Sequence, residues 1–238
     1  MISRLLTAGL LLFGGWQLGH GAYLLAKAEL AQWLLEQAWA EMQANAQRID
    51  TQRADLIENS ASGDSAVEKK GANLKPVPPW PWADTWPMAK MKWPSLNKEL
   101  IVLEGASGRN LAFGPAHLSA STMPGQTGVS VIGGHRDTHF EFLQQVLIGD
   151  EFVVQMANGD EYRFQVKEII IADVRESQIR LDSDIAKIAL VACYPFSDLG
   201  AGSPLRYLVL ADLMLTKKTG KVERVPPTTQ KLLTTMSV

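Results

Sequence analysis

The chain is poor in the residues that most often announce chemistry: its 238 positions hold one cysteine, Cys193, and four histidines. A lone cysteine excludes an intrachain disulfide and every zinc pattern built on two thiolates. Charge is also sparse, at 20% of residues and a formal net charge of -2. Nucleic acid is therefore not expected as a partner, because no basic field exists to hold phosphates. The glycine fingerprints of dinucleotide-binding folds and of P-loops are missing, and no stretch repeats. The 46% hydrophobic content suits one good core with appended segments rather than two large domains.

Only one apolar run approaches membrane length. As a helix, Leu5 to Ala26 would span about 33 Å against a hydrocarbon core of about 30 Å, with Gln17 and His20 interrupting it. Residues 1–28 are expected to form an N-terminal membrane anchor or an uncleaved signal, with a cleaved signal peptide as the rival. Arg4 and the amino terminus, as the early positive charges, orient the N-terminus inward. The expectation is a single-pass protein of the inner (cytoplasmic) membrane, its main domain on the periplasmic or extracytoplasmic side.

Composition then divides the remainder. Residues 29–58 are rich in Ala, Gln, Leu and Glu, without Gly or Pro, and read as a helical stalk. Residues 59–94 begin as a polar linker and become a strap: Lys75 to Pro94 holds six of the twelve prolines and four of the seven tryptophans. Extended polyproline-like backbone is expected there, docked onto the neighbouring domain because four wet tryptophans are costly. Residues 95–215 change to short alternating or apolar runs bounded by turn residues, which predict strands at 99–103, 111–113, 129–133, 151–156, 161–171, 188–193 and 205–213. Asn158-Gly159 predicts a type I′ hairpin, and Phe140 to Ile148 has helical spacing. A mainly β fold, a closed or nearly closed barrel, fits this pattern. Residues 216–238, with Lys217, Lys218, Lys221, Arg224, Lys231 and Pro226-Pro227, read as a basic tail without regular structure.

Two strand ends carry reactive groups. In Val129-Ser-Val-Ile-Gly-Gly-His135-Arg-Asp-Thr-His139, a hydrophobic strand stops at a histidine, where rigid backbone meets an open loop. In Ala189-Leu-Val-Ala-Cys193-Tyr-Pro-Phe, an apolar strand delivers the sole cysteine to its C-terminal edge. Arg206 follows in Ser203-Pro-Leu-Arg-Tyr-Leu-Val-Leu, and pairing of these two runs would bring its guanidinium beside the thiol. The thiolate is the reactive form, so a neighbouring cation favours it. His139 competes with His135 for the acid role, while His20 and His117 have no adjoining motif. Asp137 and Thr138 either orient the histidine or simply close a turn.

The His135 loop, the Cys193 strand end and the Arg206 strand, in that order, resemble the sortases. Trp80-Pro-Trp-Ala-Asp-Thr-Trp-Pro, Glu104-Gly-Ala-Ser-Gly-Arg-Asn-Leu-Ala-Phe-Gly-Pro and Gly134-His-Arg-Asp-Thr-His-Phe are similar to the Gram-negative, marine proteobacterial branch. The resemblance implies a closed β-barrel of about eight strands with short helices. It implies a cysteine transpeptidase with Cys193 as nucleophile, His135 as proton donor and Arg206 steadying the oxyanion. The implied partners are a protein bearing an LPxTG-like sorting signal, cleaved after Thr through a thioacyl enzyme, and an amine acceptor of unknown identity; no cofactor or metal is implied. Where many sortases have Thr before the nucleophile, this chain has Ala192. The competing readings are a peptidoglycan-directed cysteine transpeptidase, whose cysteine usually follows a Ser- or His- and Gly-rich block, and a non-catalytic membrane-anchored barrel that binds a ligand.

Overall fold

The computed structural model describes residues 2–59, 74–197 and 202–214. The polar part of the expected linker and the basic tail lie outside the described residues. Eight strands close into a barrel: β1 (Pro87–Trp93), β2 (Lys98–Glu104), β3 (Ala116–His117), β4 (Gly128–Gly133), β5 (Glu151–Met156), β6 (Glu161–Asp173), β7 (Ala186–Cys193) and β8 (Leu205–Leu213). They are ordered β1-β2-β3-β4-β7-β8-β6-β5, and β5 returns to β1. The β2–β3 and β4–β7 pairs are parallel; the other pairs are antiparallel. Among the described residues, closure leaves no open sheet edge to pair with another chain.

Period-two alternation explains the interior. Phe152, Val154 and Met156 of β5 are buried while their neighbours Glu151, Val153 and Gln155 are half-exposed. Trp93 stacks on Phe152 at 4.3 Å between ring centroids, and Phe152 on Phe164 at 5.6 Å. With Phe140 these rings are fully buried, each worth roughly 1.5–3 kcal/mol by area removed from water.

Four expectations change. Pro87–Trp93 is not strap but a core strand: Met88, Ala89, Met91 and Trp93 are buried between β2 and β5. Pro87 opens the strand and Pro94 ends it, the two places where a missing N–H costs no ladder bond. Leu111 to Phe113 is not a strand, because Ser107 Oγ accepts the Asn110 N–H at 3.2 Å and caps α2 (Gly108–Leu111). The β5–β6 hairpin forms, but its turn is not type I′. Gly159 alone has positive φ (+87°), while the Asn158 side chain accepts the Asp160 N–H at 3.1 Å. Met156 N–H donates to Asp160 O at 2.8 Å across a three-residue loop, the geometry that needs one left-handed residue rather than two.

The fourth change concerns the N-terminal segment. One helix, α1 (Ile2–Asn59), runs through both the expected anchor and the stalk. Among the described residues no helix is long and apolar enough to cross a membrane. Length is ample at 58 residues, so apolarity is what falls short: Gln17, His20 and five glycines dilute the Leu-rich run. The later half is not a free stalk either. Leu35, Trp39 and Met42 are buried with Ile101, Leu103 and Ala116 of the barrel, and Gln32 Nε2 donates to Phe113 O at 2.8 Å. Lys90 Nζ lies 3.0 Å from carboxylates of both Glu36 and Glu99, and 5.8 Å from the centre of the Trp39 ring. Burial alone would lower the Lys90 pKa; the bonds and charges of the two glutamates outweigh it and raise it. Of the two helical tryptophans, Trp39 is a packing residue, whereas Trp33 is exposed.

Side chains hold the two-residue β3 in place. His117 is 1% exposed; its Nδ1 lies 3.0 Å from Glu104 Oε2 and its Nε2 3.0 Å from both Thr122 O and Ser121 Oγ. A carbonyl can only accept, so Nε2 carries a proton. The Ser121 hydroxyl donates to Leu118 O at 2.7 Å and accepts the Val131 N–H at 2.9 Å, tying the β3–β4 loop to β4. Burial would raise the Glu104 pKa, but hydrogen bonds from His117 and Ser119 and the charge of His117 bring it below the ordinary 4.5. A depressed carboxyl pKa contributes stability that is complete above the unfolded value and is lost as pH falls through the folded one. Glu104→Gln is expected to cost about 2 kcal/mol at neutral pH and to flatten the acid limb of urea-unfolding midpoints between about pH 3 and 6. An acid limb as steep in the variant as in the parent would contradict this role.

Candidate active site

Backbone register brings the three predicted residues to one end of the barrel. Gly133 of β4 is level with Val191 of β7 in the parallel ladder, and Gly134 N–H extends it to Val191 O at 3.0 Å. His135 and Cys193 thus stand two residues past partners that are level with each other. On the other side of β7, Cys193 is the antiparallel register partner of Arg206 in β8. No long-range loop is needed to gather the trio. His135 is exposed and Cys193 and Arg206 are half-buried, so all three are open to a substrate.

The same alternation assigns the face. Ile188, Leu190 and Ala192 of β7 belong to the interior cluster with Val209 and Ala211 of β8. Ala189, Val191 and Leu210 lie on the opposite face, in a separate cluster with Val129, Val131 and Leu181. Cys193 follows Val191 by two and Arg206 is in register with it, which puts both on this outer face. Leu181 belongs to the β6–β7 connection, which is laid over β4: Val129 N–H donates to Leu181 O at 2.9 Å and Gly128 N–H to Ile185 O at 3.3 Å. Leu181 closes with Val129, Val131 and Ala189 a small apolar cluster on this outer face. Ala192 is 2% exposed and faces inward as the register partner of Tyr207. A side chain at position 192 therefore stands on the face opposite the thiol.

Local bonds hold the two charged residues. The Arg206 guanidinium donates through Nη1 to Ser203 O at 2.7 Å and Leu205 O at 2.9 Å, folding back over the start of its own strand. The loop after His135 is closed by Phe140 N–H to His135 O at 2.9 Å and Glu141 N–H to Thr138 O at 3.4 Å; Asp137 and Thr138 sit exposed at its turn. His139 is half-buried, and burial, followed by the nearby charge of His135, lowers its pKa below the ordinary value while Asp137 opposes this. Of the two histidines, His135 is the one level with the thiol. A separate apolar cleft of about 320 Å³, lined by Leu30, Leu34, Trp80, Trp82 and Phe113, includes none of the three strand-end residues.

Two features of this end escaped the sequence reading. Gly134 is required by packing: a Cβ there would lie 2.6 Å from the Phe140 ring, which is itself fully buried. The Gly133-Gly134 pair just before a histidine was the available signal. The second is the aromatic trio Tyr194, Phe196 and Tyr207, signalled by rings directly after both Cys193 and Arg206. Gly134→Ala should cost about 1–3 kcal/mol through overpacking, read as a lower midpoint in thermal unfolding; an unchanged midpoint would show that Phe140 can yield.

Comparison with known proteins adds an independent line. Residues 91–214 match the family described as the sortase domain. Sortase D of Bacillus subtilis (strain 168) is 32% identical over 117 residues, which cover 49% of this chain and 58% of that protein. The chain therefore spans less than two thirds of this relative's length. Among solved structures, a lid mutant of sortase A from Corynebacterium diphtheriae aligns with a TM-score of 0.51 and 25% identity, over 58% of this chain and 76% of the other.

Proposed function

The chain belongs to the sortase family, and on that premise we propose that it is a cysteine transpeptidase that cleaves an LPxTG-like C-terminal sorting signal after Thr and joins it to an amine. The observation that carries the proposal is the register: Cys193 opposite Arg206 on one side and level with His135 on the other. A purely structural thiol does not call for a cation and an imidazole at the same strand-end level.

In this reading the signal lies along the outer face at the β4–β7–β8 strand ends, with its scissile carbonyl at Cys193. The thiolate bonds to the carbonyl carbon, and the electron pair moves onto oxygen. Arg206 turns from its backbone carbonyls to donate to that oxyanion, together with backbone N–H groups. The C–N bond then breaks, and the leaving nitrogen takes a proton from the His135 imidazolium, leaving a thioester and a neutral imidazole. In the second half an amine nitrogen bonds to the thioester carbon, its proton passes to His135, and the C–S bond breaks with the pair on sulfur. Imidazolium and thiolate are restored. Water in place of the amine gives hydrolysis.

The test is incubation of the full chain with an LPxTG-type peptide library and a nucleophilic amine, read by mass spectrometry. A product cut after Thr and joined to the amine is expected, together with a thioacyl adduct on Cys193, and Cys193→Ala should lose both. Absence of any adduct from a folded protein whose Cys193 reacts with iodoacetamide would favour the binding-barrel reading.

We also propose that the barrel lies outside the cytoplasm, with the shorter run Leu5 to Gly15 acting as the apolar core of an export signal, which needs fewer apolar residues than a membrane span. A membrane-impermeant thiol reagent should label Cys193 in intact spheroplasts; labelling only after lysis would put the barrel inside.

A further inference from the structure

The residues immediately after Cys193 and Arg206 bring three aromatic rings together. Tyr194 and Tyr207 stack with centroids 6.1 Å apart and planes at 19°. Phe196 stands nearly perpendicular to both, 6.3 Å and 88° from Tyr194 and 5.1 Å and 74° from Tyr207. Strand alternation accounts for their position. Tyr207 shares its level with the inward-facing Ala192, so the rings gather at the mouth of the barrel while Cys193 and Arg206 stand on its outer rim. With Pro195, Ser197 and Gln144 they line a cavity of about 340 Å³.

The chemistry of this lining is selective. Aromatic faces attract a cation lying within about 6 Å of the ring centre, and none of the lining residues carries a charge that would compete. The Gln144 amide nitrogen already donates to Glu141 O at 3.0 Å, which leaves its carbonyl oxygen as an acceptor for a donor in the cavity. Ser197 and the tyrosine hydroxyls add further oxygens. Burial, then the neighbouring Tyr194, raises the Tyr207 pKa, so its hydroxyl stays neutral. A second cavity, lined by Lys98, Leu100, Thr138, His139, Glu141, Phe142 and Gln145, carries charged groups of its own. The Lys98 ammonium would repel another.

We propose that the Tyr194, Phe196 and Tyr207 pocket is the acceptor subsite, receiving a primary ammonium group on its aromatic faces at the barrel mouth, one residue along the chain from both Cys193 and Arg206. The inference rests on the transpeptidase reading of the same site. Bound there, the ammonium releases one proton to solvent; the amine attacks the thioester carbon, and its second proton passes to the His135 imidazole as the thiolate leaves.

The test separates binding from turnover. Full-length Cys193→Ala protein carrying 13C-labelled Tyr and Phe is titrated with n-butylammonium chloride and, in parallel, with n-butanol as the neutral counterpart, and aromatic NMR shifts are followed. Saturable shifts of all three rings with butylammonium are expected, with at least threefold weaker binding of butanol. Phe196→Leu and Tyr207→Leu should each weaken butylammonium binding about three- to tenfold, as loss of one cation–π contact implies, while Tyr207→Phe, which keeps the ring, should bind like the parent. In otherwise active protein, Tyr207→Leu should lower the ratio of aminolysis to hydrolysis by a similar factor. Equal binding of butanol and butylammonium, or shifts confined to other rings, would overturn the subsite even where thioacyl formation on Cys193 is intact. Should the leucine variants fail to fold, the comparison of the two ligands on the parent protein still decides. Absence of a thioacyl adduct with every peptide would instead remove the transpeptidase reading, which the titration does not touch.

Discussion

The parallel ladder between β4 and β7 is the constraint on which the rest of this molecule depends. It sets six consecutive residue pairs, from Gly128 and Ala186 to Gly133 and Val191, in fixed register, and β7 passes the register on to β8. A slip of one residue in either pair would turn Cys193 from the outer face into the barrel core and Ala192 out of it. Hydrophobic pattern opposes such a slip on both faces at once. Leu190 and Ala192 fill the interior, and Val191 and Ala189 lie under the β6–β7 connection. Three chemically useful groups from distant parts of the sequence therefore share one level through backbone hydrogen bonding, with side-chain contacts only refining their aim.

Polar groups buried elsewhere act as local fasteners for parts that the ladder does not reach. β3 is too short to be held by its own backbone bonds, and His117 supplies the missing contacts by using both ring nitrogens. Lys90 has a similar task between β1 and α1. Each group is expensive to bury and is retained with its partners in place, the condition under which burial of charge is tolerated. These fasteners sit on the β1–β3 side of the barrel, away from the β7–β8 pair that carries Cys193 and Arg206.

Legibility in the sequence followed the range of the forces involved. β4, β7 and β8 were readable to within a few residues because apolar run and strand coincide, and His135, Cys193 and Arg206 stood out because strand ends are where such runs stop. The Asn158-Gly159 hairpin was visible, yet its turn type was not. The choice between two- and three-residue loops depends on where the flanking strands pair, which no dipeptide encodes. β1 was hidden by its prolines, since composition alone cannot distinguish a proline bounding a strand from one that forbids it. The docking of α1 was hidden for a related reason: Leu35, Trp39 and Met42 are ordinary helix residues whose partners, Ile101 and Leu103, lie some sixty positions away.

The covering of the barrel by α1 decides what counts as the smallest portable piece of this protein. A chain begun at the proline-rich segment would keep all eight strands yet uncover Ile101, Leu103 and Ala116 together, an apolar patch of the sort that drives proteins to associate. It would also leave Lys90 without one of its two carboxylate neighbours and without the indole beside it. Anyone moving this barrel onto another scaffold would do better to cut within α1, no later than Ala31, treating the helix from there to Ala46 as a ninth stave of the barrel that happens to be wound rather than pleated.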